Sequence, residues 1–374
     1  MVTTHFRRVY SSFTSHVFDI PPRLLALLLF VILLCVPITR PTPSIQGMLI
    51  DTFFIAVLAV SWDLLVGRSG QISLGHALFF GIGAYGTAII YKFFGLPPWV
   101  TIPLAVLIGV SLSLPIGLPC LRVKGPYLAL VTMALPLILT PVLAWGPITP
   151  ITGGEIGIGP LPSLIPTEFW EGLGFGFRPA LQMVKLANYY LALALLFFSS
   201  IILYKIANSK TGMVLISILD DEIASKACGI DVTKYKLVTF AISALFATLA
   251  GATYAHVVTI VNAWFLSLTV SIIPVILTFL GGIGTIYGPL IGAHIYYILD
   301  RDILKRVLEP FMTSTQLSYI KPIIFSVIVI ILIIKWPRGI ARFVTDKLQD
   351  LEEARDIEER GKWIWKVYKK KKKA

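Results

Sequence analysis

Long apolar runs, separated by short polar or glycine- and proline-rich segments, recur along this chain of 374 residues. Several of these runs reach the ~20 residues that an α-helix needs to cross a bilayer. The pattern predicts an all-α polytopic membrane protein with about ten transmembrane or re-entrant helices. The predicted spans are 24–38, 45–66, 72–94, 98–119, 126–147, 187–206, 235–258, 267–281, a short ninth at 287–300, and 318–336.

A polar turn broken by glycines interrupts the pattern between the second and third spans, with the sequence GRSGQISLGH over residues 67–76. Backbone groups freed within a bilayer need partners from protein or from a water-filled path. The turn therefore predicts that a solute passes here. The candidate path residues are Gln71, Ser73 and His76 for its polar end, and Phe79, Phe80 and Tyr85 for its apolar side.

A second glycine-rich turn is similar to the first. Gly70–Tyr85 (GQISLGHALFFGIGAY) and Gly281–Tyr296 (GGIGTIYGPLIGAHIY) each follow one predicted span and enter the next. Duplicated halves around a central path are common in transporter folds. Duplication is one interpretation, and chance matching of glycine-rich apolar segments is the other.

Composition supports the membrane class and argues against an enzyme. Hydrophobic residues make up 56% of the chain and charged residues 14%, with a mean hydropathy of +0.83, whereas soluble domains average ~25% charged. The sequence has no G-x-x-x-x-G-K-[ST], G-x-S-x-G or H-E-x-x-H motif, and its three cysteines lack metal-ligand spacing. It therefore predicts no catalytic residue, metal or cofactor.

The distribution of Lys and Arg predicts the orientation, since these residues accumulate on the cytoplasmic side. With both termini cytoplasmic, 24 of the 32 Lys and Arg residues lie inside; without those from Lys335 onward, the ratio is 11 to 8. The net charge of +12 then requires no nucleic-acid partner. The predicted parts are a cytoplasmic segment 1–23, a transmembrane domain 24–336, and a basic tail 337–374 that is either disordered or in contact with anionic lipid.

The predicted cytoplasmic connection 207–236 has a helical pattern, with Asn208 or Ser209 at its start and Gly229 at its end. Such a helix can dock into a groove on a partner protein. The alternative is a helix lying flat on the membrane, which the acidic cluster disfavours beside anionic lipid. The apolar face comprises Ile216, Leu219, Ile223 and Ala227, and the acidic cluster comprises Asp220, Asp221 and Glu222.

The predicted outer loop 148–186 contains the sequence TGGEIGIGP at Thr152–Pro160. Glycines let a backbone approach a ligand closely, so Thr152 and Gly153 are candidates for the outer mouth of the path. A flexible surface loop is the alternative. Asp51 and Asp63, the clearest carboxylates within spans, lie ~18 Å apart along a helix, and we interpret them as interfacial or paired with a neighbouring helix.

Six segments in this order resemble the branched-chain amino-acid ABC-importer permease family, specifically its M-type subunit. The resemblance covers about residues 45–340. The segments are GRSGQISLGHALFFGIGAY at 67–85, LRVKGPYLALVTMAL at 121–135, TGGEIGIGPLP at 152–162, DDEIASKACGIDVTKYKLVTFAISALFATLAGATYAH at 220–256, FLGGIGTIYGPLIGA at 279–293 and IIKWPRGI at 333–340.

The resemblance implies a permease subunit of the prokaryotic plasma membrane that works by alternating access. It implies a sister H-type permease, two cytoplasmic ATPase subunits and an extracytoplasmic solute-binding protein as partners. Relatives carry branched-chain or other amino acids, urea or short amides. The implied ATPase-coupling residues are Ile216, Leu219, Asp220, Asp221, Glu222, Ile223, Ala224 and Gly229.

This chain departs from the family pattern at two places. Relatives often have basic residues at the positions of Ile216 and Leu219, and commonly Asp at that of Ile156. The contact with the ATPase and the usual ligand of the outer loop are therefore open to change. The alternative function is a stand-alone ion-coupled secondary transporter or channel.

Overall fold

The computed structural model of the chain describes residues 21–343, apart from 40, 124, 312, 337, 338 and 342. Within these residues the backbone is helical almost throughout, with one isolated antiparallel bridge between Ile158 and Val261. The all-α class predicted from the apolar pattern is confirmed. Most of the predicted segment 1–23 and of the basic tail 337–374 lies outside the described residues.

The described residues form fifteen α-helices. The first eight are α1 (Pro21–Cys35), α2 (Pro43–Ser69), α3 (His76–Phe94), α4 (Pro98–Cys120), α5 (Pro126–Leu143), α6 (Thr149–Thr152), α7 (Thr167–Gly172) and α8 (Phe177–Ala207). The other seven are α9 (Lys210–Asp220), α10 (Glu222–Ala227), α11 (Val232–Val258), α12 (Leu268–Gly281), α13 (Tyr287–Tyr297), α14 (Leu304–Leu308) and α15 (Ser314–Lys335). A π-helical turn, Ile298–Ile303, joins α13 to α14.

Seven helices in the described part of the chain are long and apolar enough to cross a bilayer, namely α2, α3, α4, α5, α8, α11 and α15. Two further apolar helices, Leu27–Thr39 and α12, are shorter. The 11 residues of α13 continue without a break through the π-helical turn into α14, which ends at Leu308. Every predicted span is therefore helical. The first continues from α1 through a 3-10 turn to Thr39, the ninth continues to Leu308, and the eighth, α12, has only 14 residues.

The helix α8 begins earlier than the apolar pattern predicts. It starts at Phe177, inside the predicted loop 148–186, and continues for 31 residues. Arg178 and Lys185 lie in its first turns and lower the apolar signal there. A helix can continue beyond the apolar region because its backbone hydrogen bonds do not depend on apolar side chains. A hydropathy pattern detects only the apolar part of such a helix.

Helix α2 forms the centre of the molecule. Residues 53–65 are all buried, including the large side chains of Phe53, Phe54 and Trp62. It packs against α8, α11, α12 and α13. An apolar helix in a bilayer can face either lipid or other helices, and α2 is the case in which other helices surround it.

Glycines bring α3 and α11 into backbone contact. A Cβ on Gly251 of α11 would overlap the carbonyl oxygen of Phe80, and one on Gly83 of α3 would overlap that of Thr248. Small residues at such crossings let membrane helices approach closely, and van der Waals packing then holds them together. The α3–α11 pair is thus a fixed frame beside the hinge.

Candidate functional site

The polar turn between α2 and α3 is a non-helical segment, residues 70–75, which we call the hinge. At its start Gly70 has a φ of 69°, and its N–H bonds to carbonyls in the last turn of α2. This left-handed conformation favours glycine, which has no Cβ to clash. The predicted break between two spans is confirmed, and α3 begins at His76.

The polar side chains of the hinge are buried and bonded within the protein. Gln71 Nε2 donates to the Ser69 hydroxyl at 2.8 Å and to the carbonyl of Lys236, in α11, at 3.2 Å. The Ser73 hydroxyl accepts from the Gly75 N–H at 3.2 Å. Gln71 and Ser73 are 3% and 2% exposed. The hinge is therefore closed against α11 in this conformation.

His76 presents a free acceptor atom beside the hinge. Its Nε2 lies 2.8 Å from the Ser243 hydroxyl of α11, and that hydroxyl donates its hydrogen to the Ser61 carbonyl at 2.9 Å. Because a hydroxyl has one hydrogen, His76 Nε2 must be the donor in this chain of bonds. In the neutral ring Nδ1 is then an acceptor, and among the described residues it has no partner.

Two of the aromatic candidates lie farther along α3. Phe79 is 4% exposed and packs edge-on against Phe240 of α11, with ring centroids 5.5 Å apart. Tyr85 is also 4% exposed, and its hydroxyl has no hydrogen-bond partner among the described residues. Nine residues of helix separate Tyr85 from His76, a distance of ~14 Å. Phe79 is thus close to the hinge, whereas Tyr85 is not.

Two adjacent residues of α2, Trp62 and Asp63, hold both glycine-rich turns; we call them the α2 clamp. Trp62 Nε1 donates to the Ser73 carbonyl in the hinge at 2.6 Å. Asp63, fully buried, accepts from the Gly284 N–H at 2.6 Å and from the Ile286 N–H at 2.8 Å. The two similar segments of the sequence therefore share one anchoring helix.

The second turn has a backbone conformation that needs support. Ile286, just before α13, has a φ of 63°, which is costly for a β-branched residue. The bond from its N–H to Asp63 helps to fix it. A Cβ on Gly67 of α2 would lie 2.5 Å from Gly284 Cα, so the two turns lie at the same end of α2.

Of the two alternatives given for the span carboxylates, pairing with a neighbouring helix is observed at Asp51, whereas Asp63 pairs with a turn. Asp63 bonds to the turn before α13, and Asp51 accepts from the Tyr254 hydroxyl of α11 at 3.0 Å. The clamp role of Trp62 was not predicted. An indole N–H next to a carboxylate within an apolar span is the signal that could have shown it, since both groups need a partner in a low-dielectric interior.

The connection 207–236 contains two helices where the pattern predicts a single long one. Ser209 caps α9, as predicted. Asp221 has an extended backbone, and its Oδ1 accepts from the N–H groups of Ile223 and Ala224 at 2.8 and 3.0 Å, which caps α10. Asp side chains compete for backbone N–H groups in this way. The helix is thus divided in the middle of the acidic cluster.

Part of the predicted apolar face of the connection is exposed on the surface of the protein. Leu215 and Ile218 are buried against the bundle, whereas Leu219 is 45% and Ile223 80% exposed. Ile216 is half-buried, and the others of the predicted set are exposed: Asp220, Asp221, Ala224 and Gly229. Leu219 also contacts the hinge, because a Cβ on Gly70 would lie 2.7 Å from its Cδ1.

Glu222 ties the connection to the start of α11. Its carboxylate accepts from Lys226 Nζ at 2.7 Å and from Lys236 Nζ at 2.8 Å. These hydrogen bonds and the two positive charges lower the pKa of Glu222 to about 2. The carboxylate therefore stays ionised at physiological pH, and pH changes in that range do not break its link to α11.

Thr152 and Gly153 lie at the opposite end of the bundle. The Thr152 hydroxyl donates to the Leu143 carbonyl at 2.6 Å, and Gly153 has a φ of 74°. Lys92, near the end of α3, donates to the Pro150 carbonyl at 2.7 Å. The 19 residues of α3, ~28 Å, separate this loop from the hinge. The candidate path residues therefore line no single site.

Residues 44–335 match the family model of the branched-chain amino acid transport system / permease component. The chain belongs to this family. The high-affinity branched-chain amino acid transport system permease proteins LivM of Salmonella typhimurium and Escherichia coli are each 29% identical to it over 296 residues, 75% of this chain and 68% of theirs. The probable branched-chain amino acid transport permease protein LivM of Methanocaldococcus jannaschii is 26% identical over 285 residues, 70% of this chain and 77% of its own.

A sister type of permease is also similar to the chain. The probable branched-chain amino acid transport permease protein LivH of Methanocaldococcus jannaschii is 24% identical over 312 residues, 82% of this chain and 94% of its own. No solved structure matches the chain. The family and the seven long apolar helices of the described residues make the chain a multi-pass membrane permease. Its resemblance to the M-type subunit is confirmed.

In this permease the hinge and the connection 207–236 form one continuous region. Leu219 contacts Gly70, and Gln71 bonds to the backbone of Lys236, the residue that also pairs with Glu222. A displacement of the connection would therefore act on the hinge directly. The roles of these residues in transport stay predictions.

Proposed function

We propose that this permease is the M-type membrane subunit of an ATP-driven importer for branched-chain amino acids or a related small polar solute. Its family and the names of its relatives support this substrate class. The observation that carries the proposal is the buried polar hinge between two spans, where acceptors on Gln71 and His76 have no partner among the residues that the structure describes. Such acceptors suit the ammonium group of an amino acid.

The assembly we propose contains a sister H-type permease, two ATPase subunits and a solute-binding protein. Both termini and the connection 207–236 face the cytoplasm, as the Lys and Arg distribution indicates. The similarity to an H-type relative supports pairing of two related permeases. Ile156, 85% exposed in the loop beyond Gly153, is on the side where the binding protein delivers solute.

The mechanism we propose is alternating access through the hinge. The conformation described has Gln71, Ser73 and His76 buried, and so represents a closed hinge. Movement of an ATPase displaces the connection, and the Leu219–Gly70 contact passes this displacement to the hinge. The hinge residues then part from α11 and admit the solute, with Phe79 against its apolar side and Thr152 and Gly153 at the outer mouth.

Reconstitution tests this function against the ion-coupled carrier. Liposomes with the permease, its sister subunit, the ATPases and the binding protein should accumulate leucine, isoleucine or valine only when ATP is hydrolysed. Liposomes with the permease alone should accumulate none under a proton or sodium gradient. Uphill uptake by the permease alone would establish the carrier and remove the need for partners.

The docking role of the connection leads to a prediction for Ile223. We expect Ile223→Asp to weaken ATPase binding at least tenfold, because it places an unpaired carboxylate in an apolar contact. Its exposed fraction of 80% means that the permease itself should fold normally. The measurement is the affinity of purified ATPase for the permease pair in nanodiscs.

The matched control is Ile156→Asp, an equally drastic change of an exposed isoleucine at the opposite end of the permease. It should leave ATPase affinity unchanged. If Ile223→Asp binds the ATPase as tightly as the unchanged chain does, α10 is not part of the docking surface.

A further inference from the structure

A cavity of about 640 Å³ lies at the hinge end of the bundle. It is partly open, and its walls come from the end of α2, the hinge, the end of α4, the α4–α5 loop, the start of α5, the connection 207–236 and the start of α11. Ligand pockets in proteins have volumes of ~300–1,000 Å³, so this one can hold a small solute. None of the path residues predicted from the sequence lines it except Gln71.

One part of the cavity wall is apolar. Its side chains come from α4, the α4–α5 loop, α5, α9 and α11, so the surface is assembled from segments far apart in the sequence. They are Leu118, Leu121, Leu128, Ile218, Leu219 and Val232. Such a surface suits a branched aliphatic side chain, whose burial releases ordered water.

The charged part of the wall has an excess of positive charge. Lys226 and Lys236 both bond to Glu222, so that carboxylate is already satisfied. Arg122 also lines the cavity and, within the described residues, forms no ion pair. A guanidinium binds a carboxylate with two parallel hydrogen bonds. Arg122 is therefore the group that can hold an anionic end of a ligand.

Gln71 supplies an acceptor in the same wall. Its Nε2 is engaged by Ser69 and the Lys236 carbonyl, but its buried Oε1 has no partner among the described residues. A buried carbonyl oxygen without a hydrogen-bond donor destabilises the protein. This oxygen is closed off from solvent in the conformation described, so an ammonium group of a ligand would supply the missing donor only after the Gln71 side chain turns toward the cavity. Gln71 also joins the cavity to the hinge, where the proposed path begins.

We propose that this cavity binds the zwitterion of a branched-chain amino acid on the cytoplasmic side of the permease. Arg122 holds the carboxylate, Gln71 Oε1 accepts from the ammonium, and the apolar wall contacts the side chain. The proposal rests on the proposed function for its substrate class and orientation. Because both the hinge and Leu219 line the cavity, bound amino acid opposes their movement, and cytosolic product slows the importer.

The test uses the whole importer reconstituted in liposomes that contain loaded binding protein. Because ATP is added only outside, hydrolysis reports on importers whose ATPase subunits face outward. Leucine added outside reaches the cytoplasmic face and should inhibit ATP hydrolysis. Arg122→Gln should raise the half-inhibiting leucine concentration at least tenfold. Arg178→Gln, an exposed arginine at the start of α8, should leave it unchanged.

Two leucine analogues assign the contacts. Isoamylamine lacks the carboxylate and 4-methylpentanoate lacks the ammonium, so both should inhibit more weakly than leucine. Arg122→Gln should weaken inhibition by leucine and leave inhibition by isoamylamine unchanged. If the variant weakens inhibition by both compounds equally, or if leucine inhibits neither the unchanged importer nor the variant, the cavity does not bind the zwitterion. The same result follows if inhibition depends only on the anionic lipid content, which would assign Arg122 to a lipid headgroup.

Two different results would overturn the cavity assignment and the proposed function. Normal ATP-driven leucine uptake without inhibition from the cytoplasmic face would overturn the cavity assignment alone. Absence of ATP-driven uptake of any branched-chain amino acid by the complete assembly would overturn the proposed function.

Discussion

Asp63→Ala should abolish uptake by the assembled importer. The substitution leaves the Gly284 and Ile286 N–H groups without their acceptor inside a fully buried site. Each buried donor that loses its partner costs ~1–3 kcal/mol, and charge-assisted bonds are about twice as strong as neutral ones. The loss also releases Ile286 from a conformation with a φ of 63°. We expect uptake to fall at least a hundredfold.

The variant Asp63→Asn tests the need for both hydrogen bonds that this carboxylate accepts, from the Gly284 and Ile286 N–H groups. Asparagine has nearly the same shape but one acceptor oxygen, so it can satisfy only one of the two N–H groups, and its own NH₂ faces the other. We expect an intermediate loss of uptake. Hydrogen exchange of the amides at residues 282–287 should quicken in both variants, more in Asp63→Ala, because the turn is then less protected.

Asp51→Asn is the matched control within the same helix. Asp51 accepts from the Tyr254 hydroxyl, and an amide oxygen can still accept that bond. Its effect on uptake should be much smaller than that of Asp63→Asn. Uptake by Asp63→Ala at the level of the unchanged chain would show that the α2 clamp is unimportant for transport.

Helix positions were the part of the fold that the sequence predicted best. Hydrophobic runs reveal a helix wherever lipid or core surrounds it, as for α2 and α11. They fail where polar residues extend a helix outside the apolar layer, as at Phe177 in α8. They also fail at Asp221, where a side chain caps a new helix within a pattern that is otherwise continuous.

The candidate site was predicted in part because only some of its features are local. The hinge was visible as a polar, glycine-broken segment at residues 67–76. Its partners were not, since Ser243 and Lys236 are far away in sequence and tertiary packing alone brings them near. The repeat suggested that two turns are alike, but only the structure showed that Trp62 and Asp63 hold both.

A single methyl group at Gly251 should prevent the permease from folding stably. The Cβ of Gly251→Ala would overlap the carbonyl of Phe80 in α3. A backbone carbonyl within a helix cannot rotate away, so α3 and α11 must move apart. Overpacking of this kind costs ~1–3 kcal/mol and occasionally more. We expect a lower melting temperature and a smaller monodisperse fraction on size-exclusion chromatography in detergent.

Gly47→Ala is the control for the same change in α2. A Cβ at Gly47 has no atom within 4 Å, and alanine favours helix over glycine by ~1 kcal/mol, so this variant should be as stable as the unchanged chain or more so. Equal stability of both variants would mean that the α3–α11 contact is looser than described. The crossing also bears on transport, because α3 carries His76 and α11 carries its partner Ser243. Any folded Gly251→Ala should therefore have a disturbed hinge and slower uptake per molecule.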